Sequence, residues 1–217
     1  AKNSNVEKFI TLGTVCSYPK FASIPFSENE IWNGFPDESN APYGISKKMM
    51  LVQSDAYLRQ YGFNSISVIP TNLYGPEDDF NIETANVIPG IILKISNAIK
   101  TDSKEVVLWG DGSATRDFLF VDDAADGIIL AAQKYDDVSP INLGAQKEIS
   151  IKELATLIAE IMKFPGDIIW DDTKANGQPR RCVSNYKAER EIGFKPKISL
   201  RDGLTNVISW FDSNYSD

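Results

Sequence analysis

Tyr43-Gly44-Ile45-Ser46-Lys47 sets a phenol and an ammonium four residues apart at the start of a helical pattern. On a helix, residues at i and i+4 share a face. An ammonium beside a phenol favours the phenolate, which suits proton transfer at a carbonyl or alcohol. Such pairs are also common on solvated helix faces, so the surrounding chain has to decide the meaning of this one. Beyond it, Ile45, Met49, Val52 and Ala56 keep helical spacing to about residue 61, and Gly62 reads as the stop signal.

Working outward, residues 6–12 read as a buried parallel strand that runs into Gly13-Thr14. Residues 18–42, rich in Pro, Ser, Asn and Glu, read as loop. Residues 65–69 read as a strand ended by Pro70, and residues 87–99 as a helix carrying Ile88, Ile91, Ile92, Ile95 and Ile99. Strands are predicted over 106–109 and 141–143, a turn at 110–112 and a helix over 121–135. Ser150-Ile151-Lys152-Glu153 is a capping box opening a helix to about residue 163. A last helix, with Leu204, Val207, Ile208 and Phe211, starts after Ser199. Strand and helix alternate, which predicts an α/β fold with a parallel sheet.

Composition narrows the function. At 217 residues the chain makes one large domain or two small ones. A net charge of −8 argues against a nucleic-acid surface, which needs a basic footprint. No apolar run reaches membrane-spanning length, so no membrane partner is expected. Ala1 to Asn5 are polar with no apolar run behind them, and Cys16 and Cys182 make neither a disulfide framework nor a metal cluster. These features fit a reducing cytoplasm and no metal site. With no histidine, any mechanism needing an imidazole from this chain is excluded.

Leu12-Gly13-Thr14-Val15-Cys16-Ser17-Tyr18-Pro19-Lys20, then the Tyr43–Lys47 pair, then Pro70-Thr71-Asn72-Leu73-Tyr74-Gly75-Pro76 occur in that order. Asn86-Val87-Ile88-Pro89, the run from Val107-Leu108-Trp109-Gly110-Asp111-Gly112 through Arg116-Asp117-Phe118 to Val121-Asp122-Asp123, and Gly177-Gln178-Pro179-Arg180-Arg181 follow. Together they resemble the extended short-chain dehydrogenase/reductases that act on nucleotide sugars, and among them the GDP-L-fucose synthases. The resemblance runs from about Val6 to Phe211. It implies a Rossmann-like parallel sheet with a smaller α/β substrate domain. Residues 1–75 and 113–147 would belong to the nucleotide-binding core, and 76–112 and 148–217 to the sugar-nucleotide domain. It also implies NADP (or NAD) as cofactor, a GDP-sugar or other nucleotide sugar as substrate, and a homodimer paired through the helices that begin at Tyr43 and near Val87.

Roles follow residue by residue from that resemblance. Tyr43 would be the general acid for the C4 carbonyl oxygen of a 4-keto-6-deoxy sugar, with Lys47 serving Tyr43 and the nicotinamide ribose. Thr14 would bond the reacting oxygen; alternatively its hydroxyl satisfies the local loop backbone. Cys16 matches the cysteine of 3,5-epimerisation; the plain alternative is an inert buried thiol. Leu12, Gly13, Thr14, Val15, Asn72, Leu73, Tyr74 and Gly75 would line the cofactor. Lys94, Trp109, Arg116, Asn176 and Arg181 would contact the nucleotide sugar, although Asn176 stands where the family has an aspartate. The main departure is Asn86, which replaces a histidine that partners the cysteine. Asparagine exchanges no protons near neutral pH, so Asn86 keeps only hydrogen bonds to cofactor or sugar. Asp78, Asp79 or a water would have to stand in, or epimerisation is lost.

No GxGxxG is present, although a dinucleotide fold normally holds the pyrophosphate there. The chain therefore reads as the later part of a longer protein, lacking on the order of a hundred residues and inactive alone. Two other readings remain. One is an NAD-dependent 4-epimerase or dehydratase, disfavoured because Val15 and Cys16, rather than an acidic pair, follow Thr14. The other is a non-catalytic sugar-nucleotide-binding module.

Overall fold

A computed structural model describes residues 1–174 and 176–215. In chain order the elements are β1 (Phe9–Leu12), α1 (Ala41–Tyr61), β2 (Ser65–Pro70), β3 (Asn72–Tyr74), α2 (Val87–Lys100), β4 (Glu105–Trp109) and β5 (Thr115–Phe120). Then come α3 (Val121–Lys134), β6 (Ile141–Leu143), β7 (Glu148–Ser150), α4 (Ile151–Ile161), β8 (Asp167–Asp171), β9 (Arg180–Arg181), α5 (Tyr186–Ile192) and α6 (Leu200–Asn214). Strands fall into sheets of order β1-β2-β6, β4-β8, and β3-β5-β7 with β9 beside β5. The fold is α/β with parallel pairing, as the alternation of elements predicts.

The chain divides into two compact units. The first comprises Ala1–Leu73, Asp117–Lys147 and Arg181–Lys197. In it β2 pairs in parallel with β1, from Phe9↔Ser65 to Leu12↔Val68, and with β6, from Val68↔Ile141 to Pro70↔Leu143. Every residue of β2, the central strand, and of β6 is buried, as in parallel sheets covered on both faces. Ile66, Val68, Ile141 and Leu143 pack with Leu119, Ala131, Ala188, Ile192 and Phe194. That cluster explains why 181–197, expected with the C-terminal part, belongs to this unit instead: Ala188, Ile192 and Phe194 have their apolar partners here. The predicted loop of residues 18–42 is anchored through Asn142. Asn142 accepts from the Tyr18 hydroxyl (2.7 Å) and donates through Nδ2 to the Phe26 carbonyl (3.0 Å), while the Glu28 carboxylate accepts its N–H (2.9 Å).

The second unit comprises Tyr74–Arg116, Glu148–Arg180 and Ile198–Asp217, described to residue 215. β4 and β8 run parallel from Glu105↔Asp167 to Trp109↔Asp171. Buried Ile88, Ile91, Ile92 and Ile95 of α2, Leu154 and Ile158 of α4, and Leu204, Val207 and Ile208 of α6 supply its core. The Ser150 capping box is present, with Glu153 as its return partner.

Several local expectations need correction. β1 starts only at Phe9, α1 already at Ala41, and Pro70 lies inside β2. Short elements such as β8 and α5 escaped the sequence reading because five and seven residues carry only about two periods of their patterns. The larger correction concerns α1. Ile45, Met49 and Val52 are 40–55% exposed, and the buried positions are Ala41, Gly44, Lys48, Leu51 and Ser54. The stripe of Ile45, Met49 and Val52 points outward, and apart from Leu51 the buried side is made of small or polar residues. Among the described residues, no helix is long and apolar enough to cross a membrane.

Candidate active site

In the first unit the candidates converge where β1 ends. Gly13 N–H donates to the Val68 carbonyl (2.8 Å), carrying the strand pairing one residue past β1. Thr14 then caps a short 3-10 turn, Val15–Ser17, its hydroxyl oxygen accepting the Cys16 N–H at 3.3 Å. Thr14 thus takes on the local role, and its own O–H remains a donor. Helix α1 packs directly on this turn. Gly44 is required there, because a Cβ would run into the Cys16 carbonyl, and buried Ser17 Oγ donates to the Gly44 carbonyl at 3.0 Å.

That docking places the Tyr43–Lys47 pair beside the end of β1. Tyr43 is 51% exposed on the first turn of α1. Lys47 Nζ donates to the Leu12 carbonyl at 3.0 Å and stands 5.9 Å from the Tyr43 ring centroid. The ammonium is therefore anchored by the strand end rather than by the phenol. Cys16 is half-buried, and Arg181 Nη1 donates to its sulfur at 3.4 Å. Asn72 Nδ2 donates to the Asp117 carbonyl at 2.9 Å, and Leu73 is exposed.

The second unit holds the remaining candidates, each supported by its own neighbours. Lys94 Nζ donates to the Val107 carbonyl (2.9 Å) and stands 5.6 Å from the Trp109 ring centroid. Trp109 is 69% exposed, which rules out a core role. Burial pushes the Lys94 ammonium below its ordinary range. Asn176 Oδ1 accepts the Asp111 N–H at 2.8 Å, and Arg116 Nη1 donates to the Thr115 carbonyl at 2.7 Å. Exposed Asn86 caps α2 without a side-chain bond. Tyr74 and Gly75 are buried. Of the acidic loop pair, Asp79 accepts from Thr84 Oγ1 (2.5 Å) and Asn81 N–H (3.1 Å). Asp78 is partly buried, and burial, with the Asp79 charge, holds its carboxyl above the usual range.

The profile of the NAD dependent epimerase/dehydratase family matches residues 1–144. The chain belongs to the NAD dependent epimerase/dehydratase family. It is 38% identical to GDP-L-fucose synthase 1 of Arabidopsis thaliana over 214 residues, covering 99% of this chain and 66% of that protein. The chain thus spans just under two thirds of that plant relative's length. Among solved structures it is similar to a GDP-L-fucose synthetase from Naegleria fowleri bound to NADP (30% identity, TM-score 0.92, 99% of this chain and 68% of that one). It is also similar to a GDP-6-OMe-4-keto-L-xylo-heptose reductase from Campylobacter jejuni (25% identity, TM-score 0.89, 98% and 72%).

The residues at the end of β1 fit a family nicotinamide cofactor by their donor chemistry. An ammonium carries three donors, and Lys47 gives one to Leu12. Open parallel sheets bind ligands beyond the carboxyl ends of their strands, and Leu12 is such an end. The sequence reading missed the contact between Arg181 and Cys16, which are 165 residues apart. It also missed the Ser17–Gly44 bond, whose one local signal was the glycine inside the Tyr43–Lys47 motif.

Proposed function

We propose that the complete protein reduces the C4 ketone of a GDP-linked 4-keto-6-deoxy sugar with NADPH, the GDP-L-fucose synthase type of reaction. The observation that carries this reading is the anchoring of Lys47 on the Leu12 carbonyl, with half-exposed Tyr43 one helical turn earlier. When bound, the nicotinamide supplies the hydride. Tyr43 gives its phenolic proton to the C4 oxygen as that oxygen becomes an alcohol. Lys47 offers its remaining donors to the cofactor ribose. The Thr14 hydroxyl, with its proton still available, donates to the same C4 oxygen. Leu12 to Val15 and Asn72 to Gly75 line the cofactor. In the second unit Lys94, Trp109, Arg116 and Asn176 contact the nucleotide sugar, with cations suited to diphosphate oxygens. The exposed Ile45, Met49 and Val52 stripe supports a homodimer through α1, and two free thiols fit a reducing cytoplasm.

Inversion at C3 and C5 needs an acid and a base on opposite faces of the sugar. Asn86 is no acid, and this chain has no histidine. Reduction without two-centre inversion is therefore the sharper form of the proposal, and the similarity to a keto-heptose reductase supports it. The test is to incubate the intact protein with GDP-4-keto-6-deoxy-mannose in heavy water, with and without NADPH, and follow the sugar by NMR. NADPH should be consumed. Deuterium should enter through Cys16 at no more than one carbon, without inversion at both. Asn86→His should restore inversion. Rapid deuteration and inversion at both carbons by the native protein would leave the ordinary fucose-synthase reaction as the better description. Absence of reduction would end the proposal.

A further inference from the structure

Arg180 and Arg181 are adjacent in β9 but are held by different groups. Arg180 forks onto the Glu148 carboxylate. Arg181 directs Nη1 at the Cys16 sulfur, 3.4 Å away. The rest of Cys16 is held as well: its N–H bonds Thr14 Oγ1, and its carbonyl lies against Gly44 with no room for a Cβ. Cys16 is half-buried and reachable, whereas Cys182 is buried at 6% exposure and its sulfur lies 3.9 Å from an Asp117 carboxylate oxygen. A guanidinium stays protonated across the working pH range, and a cation beside a thiol favours its reactive thiolate form.

We infer that Arg181 is the positioning residue that makes Cys16 a proton acceptor, beyond any contact it makes with the sugar nucleotide. The use of that acceptor rests on the function proposed above. The Cys16 sulfur takes the proton from a carbon beside the ketone and becomes the thiol. The electron pair of the broken C–H bond passes to the carbonyl oxygen as an enolate, and returning the proton to the same face restores the ketone. No outside oxidant or reductant enters this step.

The test reads the thiol rather than turnover. Native intact protein, Arg181→Gln and Arg181→Lys are treated with iodoacetamide across pH, and labelling of each cysteine is followed by peptide mass. Cys16 in Arg181→Gln should label about tenfold more slowly at neutral pH, with its rate profile displaced to higher pH. Arg181→Lys keeps a cation and should recover part of the rate. Cys182 should stay unlabelled, reporting an intact fold. Equal profiles in native and Arg181→Gln protein would overturn the inference. If Arg181→Gln does not fold, the native Cys16 profile is compared with that of the urea-unfolded chain: coincidence overturns the inference, and an acid-side native profile upholds it. Labelling as expected without keto-sugar reduction would sink the functional proposal and spare this one. Reduction with native Cys16 labelling at the unfolded rate would do the reverse.

Discussion

In the first unit a hydrogen-bonded cluster joins the candidates at the end of β1; in the second, Lys94, Arg116 and Asn176 are each held by a neighbouring backbone group, with Lys94 also over the Trp109 ring. Lys47 reaches Leu12, Cys16 bonds Thr14 and Arg181, and Ser17 bonds Gly44. Most of these contacts use a backbone atom, so the arrangement is as rigid as the strand and helix that carry it. In the second unit Lys94, Arg116 and Asn176 each rest on a nearby backbone group of their own unit. Proton transfer tolerates little geometric error and benefits from a preformed cluster. Charge recognition of a diphosphate is more forgiving and can use cations parked on carbonyls until a stronger acceptor arrives. On the proposed function the two regions would differ as chemistry differs from binding, and substitutions in each should fail in different ways.

The largest effect is expected at Tyr43. Tyr43→Phe in the complete protein should lower the rate of carbonyl reduction by roughly a hundred- to ten-thousand-fold, the usual cost of losing a general acid. NADPH affinity, measured by fluorescence titration, should change little. Near-normal turnover would dissolve the contrast between the units at its strongest point.

A smaller effect of another kind belongs to Lys94. Lys94→Ala should raise KM for the nucleotide sugar by about tenfold while kcat falls less, the signature of binding shared by ground and transition states. Steady-state kinetics decides it. A fall in kcat with unchanged KM would move Lys94 into the chemical step and blur the comparison.

The smallest effect is structural. The Glu148 carboxyl is held below its usual range chiefly by the Arg180 guanidinium, against a burial cost, with Thr115 Oγ1 also donating to it. A depressed folded value means that this stabilisation is present above the ordinary carboxyl pKa of 4.5 and is lost as pH falls through the lower folded value. Arg180 is 54% exposed, so the pair contributes only about 1 kcal/mol. Glu148→Gln should lower Tm slightly at neutral pH, and the gap to the native protein should close in acid. A gap that persists at the lowest pH would mean that the carboxylate charge is not the cause.

Much of this was legible in one dimension because the relevant physics is local. Helix spacing, the Ser150 box and the left-handed cap at Gly62 (φ 62°) depend on residues within a turn of one another. The order of Thr14, Tyr43–Lys47 and Asn72 to Gly75 sufficed for the family, since each motif sits at the end of its own strand or the start of its own helix. The absence of histidine and the asparagine at 86 were likewise plain from composition and position. Tertiary structure alone decided the orientation of α1, whose apolar stripe looked like a core face until the buried side proved to be Ala41, Gly44, Lys48, Leu51 and Ser54. Periodicity reports a face but not which way it points. Tertiary structure alone also brought Arg181 to Cys16 and moved 181–197 into the first unit, because those contacts join residues far apart in the chain whose partners are chosen by packing.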